Sequence, residues 1–432
     1  MAKIDRIKAI EILDSRGNPT VMTYVSLSDG TVGSAKVPSG ASTGLREAVE
    51  LRDGGDRYLG KGVQNAVTNV NTTIAKAMLS VDPLSQRDVD DALLKIDPSK
   101  GKSKLGANAI LSVSMATAVA ASRHLGIELF EYLRMNVIGK KEEYLQPVPM
   151  SNVINGGAHA GNDLAIQEFM ILPVGSSDIV EAVRCISEVY HRLGKHLIKK
   201  YGRMGKHVGD EGGFCGFGLT DTHHAFNEIM EAIEVAGYQP GKEVVLGIDA
   251  AASGFYKDGK YEIDGKTLDS GELLDFYIDL EKSFPITSVE DPFEEEAFDD
   301  FAEYTKKTKI QVVTDDLTVS HPETVQRCID LSAGNALLLK VNQIGSVSEA
   351  IDAADVANKA NWPVVVSHRS GETGDTFISD LAVALSTGQI KTGGPARSDR
   401  VEKYNRLLMI HDLLDGKCDY PGQNFNTAWR KF

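Results

Sequence analysis

The chain has 432 residues, 42% hydrophobic and 25% charged, with 61 acidic against 46 basic side chains and a formal charge of −15. That length exceeds one simple domain and buries a large core. The acidic balance counts against nucleic acid and anionic membranes as main partners, because the long-range field repels phosphates. Its four cysteines show no CxxC spacing, so neither a zinc ribbon nor a disulfide framework is indicated, and a reducing compartment fits best.

The N-terminal stretch alternates charged and apolar residues without a continuous apolar core, so no secretory signal is expected. Residues 3–13, 18–27 and 31–37 read as strands, with a turn at Ser28-Asp29-Gly30. The small-residue loop Ser39–Gly44 lacks the GK[ST] of a phosphate-cradling loop. Its glycine-flanked serines make it a candidate lid hinged at Gly40 and Gly44. Helical periodicity follows over 62–80, 86–96 and 105–125. The uncharged stretch Ala107–Ser122 is too short and too rich in Ala, Ser and Thr for a membrane span, and a packed interior helix is expected. The polar break Lys140–Glu143 divides an N-terminal α+β domain, 1–140, from a second domain, 141–432.

From Pro147 onward strands and helices are expected to alternate, with helices near 179–201, 221–236, 270–283, 297–308, 321–331, 346–360, 375–387 and 398–414. Two open on capping-box patterns, Ser320-x-x-Glu323 and Ser346-x-x-Glu349. Six short apolar runs end on Asp249, Glu290, Asp315, Lys340, His368 and Lys391. Buried strands with chemistry at their C-terminal rim give this pattern, so the second domain is expected to be a (β/α)8-type barrel.

Three acids from neighbouring strands repel unless a cation lies between them, and Asp249, Glu290 and Asp315 offer hard oxygens that suit Mg²⁺ better than zinc. One such acid alone reads as an ordinary strand end; three in series do not. Lys340 closes an apolar strand, where an ammonium is costly, so it can be neutral enough to act as a base; a structural ion pair is the alternative. Lys391 more simply stays charged and holds an anion. Ser367-His368-Arg369-Ser370-Gly371 resembles an anion clamp, with the planar Arg369 fork and the Ser370 hydroxyl. Gly209-Asp210-Glu211-Gly212-Gly213 is either a general-acid loop or a simple turn. His159 stands among glycines just after a strand, which favours a ligand role. His191, His196, His223 and His224 show no metal-ligand spacing and read as surface or core residues.

Taken together, Asp14–Thr20, Ser39–Gly44, Gln167–Pro173, Gly209–Phe214, Glu290–Phe293, Asp315–Val319, Leu338–Gly345, Ser367–Glu372 and Lys391–Arg397 resemble the enolase (phosphopyruvate hydratase) family over about residues 5–425. The resemblance implies a lyase that reversibly dehydrates 2-phosphoglycerate to phosphoenolpyruvate. It also implies that Asp249, Glu290 and Asp315 hold one Mg²⁺ and Ser42 helps hold a second. Lys340 would take the proton beside the carboxylate, and Glu211 would protonate the departing hydroxyl. His159, Glu168, His368, Arg369, Ser370 and Lys391 would bind or orient substrate. A cytoplasmic homodimer, with no nucleic acid and no membrane span, is implied as well. Met22, Gly254, Cys215–Gly218, Gly394 and Pro421 depart from the family's usual residues, and none is a proposed ligand.

Overall fold

The computed structural model describes residues 2–40, 44, 46–157 and 160–432, so Ser42 and His159 lie outside the described residues. Strands β1 (Ile4–Leu13), β2 (Pro19–Leu27) and β3 (Val32–Lys36) form an antiparallel meander, as their alternation predicts. Val21, Thr23, Val25 and Leu27 turn inward from β2 while the residues between them are half-buried. Where a single helix is expected, α1 (Gln64–Asn69) and α2 (Ala75–Met78) are joined by a π-turn, Val70–Ile74. Asn71 on that turn bonds both ways with the Ala9 backbone, at 2.8 and 3.0 Å, and so ties the helix to the edge of β1. Ser85 caps α3 (Gln86–Ile96) through the Asp88 N–H.

Helix α4 (Ala107–Leu125) is buried along nearly its whole length, the packed interior helix expected. It lies directly on the meander because a Cβ at Gly33 would come within 2.2 Å of the Ala120 nitrogen. Among the described residues no single helix is long and apolar enough to cross a membrane. A short helix, α5 (Leu129–Tyr132), ends this part of the chain.

An eight-stranded closed barrel follows, built from β4 (Val148–Asn155), β5 (Glu168–Leu172), β6 (Val245–Asp249), β10 (Ile286–Glu290), β11 (Gln311–Thr314), β12 (Ala336–Leu339), β13 (Val364–Ser367) and β14 (Gln389–Lys391). Strict alternation fails in its first quarter. Strand β5 follows β4 directly and runs antiparallel to both β4 and β6; only then come two helices, α6 (Ile179–Tyr201) and α7 (Thr222–Val235). A strand buried on both faces carries the same apolar run in either direction, so its sense leaves no mark in the sequence.

A small sheet not expected from the pattern, β7 (Tyr256–Lys257), β8 (Lys260–Ile263) and β9 (Lys266–Leu268), leads into α8 (Ser270–Ser283). Helices α9 (Phe298–Lys307), α10 (Pro322–Leu331), α11 (Val341–Ile344), α12 (Val347–Lys359), α13 (Phe377–Leu385) and α14 (Ser398–Leu413) complete the outer layer. Ser346 caps α12 as predicted. Ser320 does not cap α10; His321 does. The Ser320 hydroxyl instead accepts from the Lys340 N–H at 2.8 Å and donates to Gln343 at 2.7 Å, bracing the segment after β12.

Candidate active site

Register sets the first part of the site. Asp249 on β6 stands opposite Glu168 on β5 and Glu290 on β10, so three carboxylates lie side by side at one end of the barrel. Asp315 follows β11, Lys340 follows β12, His368 follows β13, and Lys391 ends β14, next to Ser367 by register. Glu168, Glu211, Asp249, Asp315, Lys340, His368, Arg369, Ser370 and Lys391 line one recess, together with Gln167, Asp291, Asp316 and Ser367. Glu290 is fully buried behind it.

Lys391 does not wait for an anion. Its ammonium lies 2.8 Å from Asp249, 2.9 Å from both Glu290 oxygens and 3.1 Å from Glu168. Burial opposes its charge, but Asp249, Glu168 and Glu290 overcome that cost and hold its pKa well above the ordinary range. Lys340 is set among carboxylates in the same way. Burial again opposes the charge, yet the ion pair with Asp315 and the field of Glu290 hold its pKa above the ordinary value. A strand-end lysine betrays its burial in the sequence but not its counter-ions.

The carboxyl groups answer in kind. Burial and Asp249 push Glu290 well above the usual range, and burial and Glu211 do the same to Glu168. Asp315 goes the other way: burial is outweighed by Lys340, and its carboxyl is lowered. Asp291, which the pattern did not single out, accepts from the Asp315 and Asp316 N–H groups at 2.9 Å each and shapes that loop. Asp291, Asp315 and Asp316 also lie within reach of one cation. Their clustering, with Glu290 and Asp249 alongside, is a surplus of hard, buried oxygen ligands over local cations, a donor set that fits a divalent metal.

Across the mouth, the Gly209–Gly213 loop presents Glu211, which accepts from Asn152 of β4 at 3.4 Å and presses on Glu168. The loop needs glycine at position 212: φ is +87°, and a Cβ would lie 2.8 Å from the Ala396 carbonyl. His368 is buried, and desolvation followed by the Arg400 charge lowers its pKa well below the usual range. Arg369 forms two bonds of 3.1 Å with Glu47 and one of 2.9 Å with Asn342. The Ser370 hydroxyl accepts from Arg16 at 3.3 Å, and Arg16 also reaches the Gly40 carbonyl at 2.9 Å.

Glu47, Arg16, Gln343 and Arg400 were missed, since each acts through partners distant in the sequence. Arg16 and Gln343 had a signal, each standing in one of the strings singled out above. Away from the recess, His196, Glu228 and Glu231 do come together, contrary to expectation, but Lys200 and Tyr201 also bond Glu228 and complete an ion-pair network.

Comparison with known families agrees with this geometry. The model described as "Enolase, C-terminal TIM barrel domain" matches residues 143–429, and "Enolase, N-terminal domain" matches residues 4–133. The chain is 53% identical over 431 residues to an enolase of Thermococcus kodakarensis, covering 99% of both chains. It is 53% identical over 427 residues to an enolase of Methanocaldococcus jannaschii, again covering 99% of both, and 52% identical over 427 residues to an enolase of Pyrococcus furiosus, covering 98% of both. The chain therefore belongs to the enolase family, and its activity is that of a metal-dependent glycolytic lyase, phosphopyruvate hydratase.

Proposed function

We propose that this chain dehydrates 2-phosphoglycerate to phosphoenolpyruvate, reversibly, with Lys340 as base and Glu211 as acid. The observation that carries the assignment is their opposition. Lys340 follows β12, whereas Glu211 leans on β4 and on Glu168 of β5, and β12 and β5 are diametrically opposed in the eight-strand ring. A substrate lying between them meets a base on one face and an acid on the other. Lys340 takes the C2 proton, the electron pair left on C2 forms the new double bond, and the C3–O bond breaks as Glu211 gives its proton to the departing hydroxyl as water.

Asp249, Glu290 and Asp315 would hold Mg²⁺, and Ser42 from the lid segment would help hold a second. When bound, the metal would supply positive charge that offsets the extra negative charge on the substrate carboxylate, and it would compete with Lys340 for Asp315. Lys391, His159 and Glu168 would orient the carboxylate and hydroxyl ends. Arg369 and Ser370 would take the phosphate, with His368 beside them. Gly40 and Gly44 would let the lid close and exclude water.

The division at 140/141 belongs to the same proposal, the first part acting as a cap that sends Arg16 and Glu47 into the barrel's site. So do a homodimeric state and a cytoplasmic setting; the free thiols at Cys185, Cys215, Cys328 and Cys418 support a reducing compartment. Absorbance that grows on adding 2-phosphoglycerate and Mg²⁺, stops with a chelator and returns with Mg²⁺ is the expected result. A flat trace from folded, Mg²⁺-loaded protein would refute the proposal.

A further inference from the structure

Arg400 lies in the first turn of α14 and is wholly buried, and its guanidinium bridges two separate segments of the site. One terminal nitrogen donates to His368 Nδ1 and to the Arg369 carbonyl. The other donates to the Ser370 carbonyl at 2.6 Å and to the Asp210 carbonyl at 3.1 Å. Its Nε lies 2.9 Å from Asp399.

A guanidinium has only donors, so the His368 Nδ1 beside it must accept, and the ring proton must sit on Nε2. That Nε2 is buried and has no hydrogen-bond partner among the described residues. It belongs to a side chain lining the recess, and a ring nitrogen of His368 lies within 4.8 Å of carboxylate oxygens of Glu168 and Glu211. Gly393 makes the close packing possible. At φ +79°, a Cβ there would meet the Glu211 carbonyl at 2.5 Å, Arg400 Cδ at 3.0 Å and His368 Cε1 at 3.1 Å.

We propose that Arg400 is a positioning residue for the reaction: it fixes His368 as a neutral Nε2–H donor aimed at a substrate oxygen and ties the Asp210–Glu211 loop to the His368–Ser370 clamp. The donor rests on the reading of the recess as the substrate site. Facing His368 are Glu168 and Glu211, which favour its protonation, and Lys391, Lys340 and Arg400, which oppose it. Burial is the largest influence and also opposes it. The ring therefore stays neutral through the working range, and its hydrogen bond to substrate does not switch off as pH rises through the ordinary histidine range.

The test is a ¹⁵N-histidine spectrum of the full-length protein, with the His368 signals assigned by their loss in His368→Asn. The expected pattern is an unprotonated Nδ1 and a protonated Nε2 that do not titrate between about pH 5.5 and 8.5. In Arg400→Met the tautomer should mix and kcat should fall on the order of 10- to 100-fold with KM little changed, the size of effect seen when a residue orienting a histidine is lost. Arg400→Lys should restore part of kcat and keep the tautomer. Should the Met variant not fold, the spectrum of the unaltered protein and the kcat of Arg400→Lys still decide the matter. A protonated Nδ1 in the unaltered protein, or an unchanged kcat in the folded variants, overturns the proposal. Absence of any turnover of 2-phosphoglycerate would instead overturn the substrate reading while leaving the tautomer result standing.

Discussion

Glu47 and Arg369 form a forked ion pair between segments 322 residues apart, with both guanidinium ends 3.1 Å from the carboxylate and both side chains buried. The pair joins the chain just after residues 39–44 to the barrel's Ser367–Gly371 segment. Burial opposes the Arg369 charge, and Glu47 more than offsets it, holding its pKa above the ordinary value. Glu47→Gln should therefore destabilise the protein by about 3 kcal/mol, the usual cost of removing one partner from a buried pair. It should also raise KM, because the clamp loses its anchor. Urea unfolding and steady-state kinetics read both effects. An unchanged midpoint would mean that Asp315 and Asp316 suffice as counter-ions.

The division of labour proposed for Lys340 and Glu211 predicts a separation of half-reactions. Glu211→Gln should still exchange the C2 proton of 2-phosphoglycerate with deuterated solvent while net dehydration falls by roughly 100- to 10,000-fold. Lys340→Ala should lose both. NMR of the substrate in D₂O follows the exchange and absorbance follows the product. Loss of exchange in Glu211→Gln would contradict the split roles.

The six rim residues could be read in advance because each breaks an apolar run, and a charge at the end of a buried strand is costly enough to leave a local mark. Asp249, Glu290, Asp315, Lys340, His368 and Lys391 all sit at one end of the barrel for that reason. Lys391 also shows the limit. Its run revealed that the lysine is buried, but not that Asp249, Glu290 and Glu168 surround it, since those contacts depend on strand order around the ring. Arg400 left no signal of its own, because an arginine in the first turn of an amphipathic helix is usually a surface residue. The antiparallel β5 was hidden by its two buried faces, and the Tyr256–Leu268 sheet by the shortness of its strands.

Metal binding should appear in stability as well as in rate. Protein treated with a chelator should melt lower than protein in excess Mg²⁺, and the gap should grow with the logarithm of Mg²⁺ concentration, reaching about 2.7 kcal/mol at a hundredfold excess over Kd. Asp249→Asn should flatten that dependence, because it removes one of the three proposed ligands and a counter-ion of Lys391. Differential scanning fluorimetry with a Mg²⁺ titration suffices. A full Mg²⁺ response in Asp249→Asn would remove that residue from the ligand set.

Asp316 offers a test by pH. Its burial and the neighbouring Asp315 raise its carboxyl to about 7, against 3.8 for an ordinary aspartate. The folded protein therefore holds a proton that the unfolded chain releases between those two values. The stability this group contributes is fully present below about pH 4 and is lost as pH rises toward 7. Asp316→Asn cannot lose a proton, so relative to the unaltered protein it should gain stability steadily across that interval. With allowance for partial exposure, the gain should reach on the order of 2 kcal/mol by pH 7. The comparison belongs in chelator, so that no cation alters the neighbouring Asp315, and is made by urea unfolding at half-unit steps of pH. A difference between the two proteins that stays constant from pH 4 to 8 would show that Asp316 ionises normally and that its carboxyl is not crowded by Asp315.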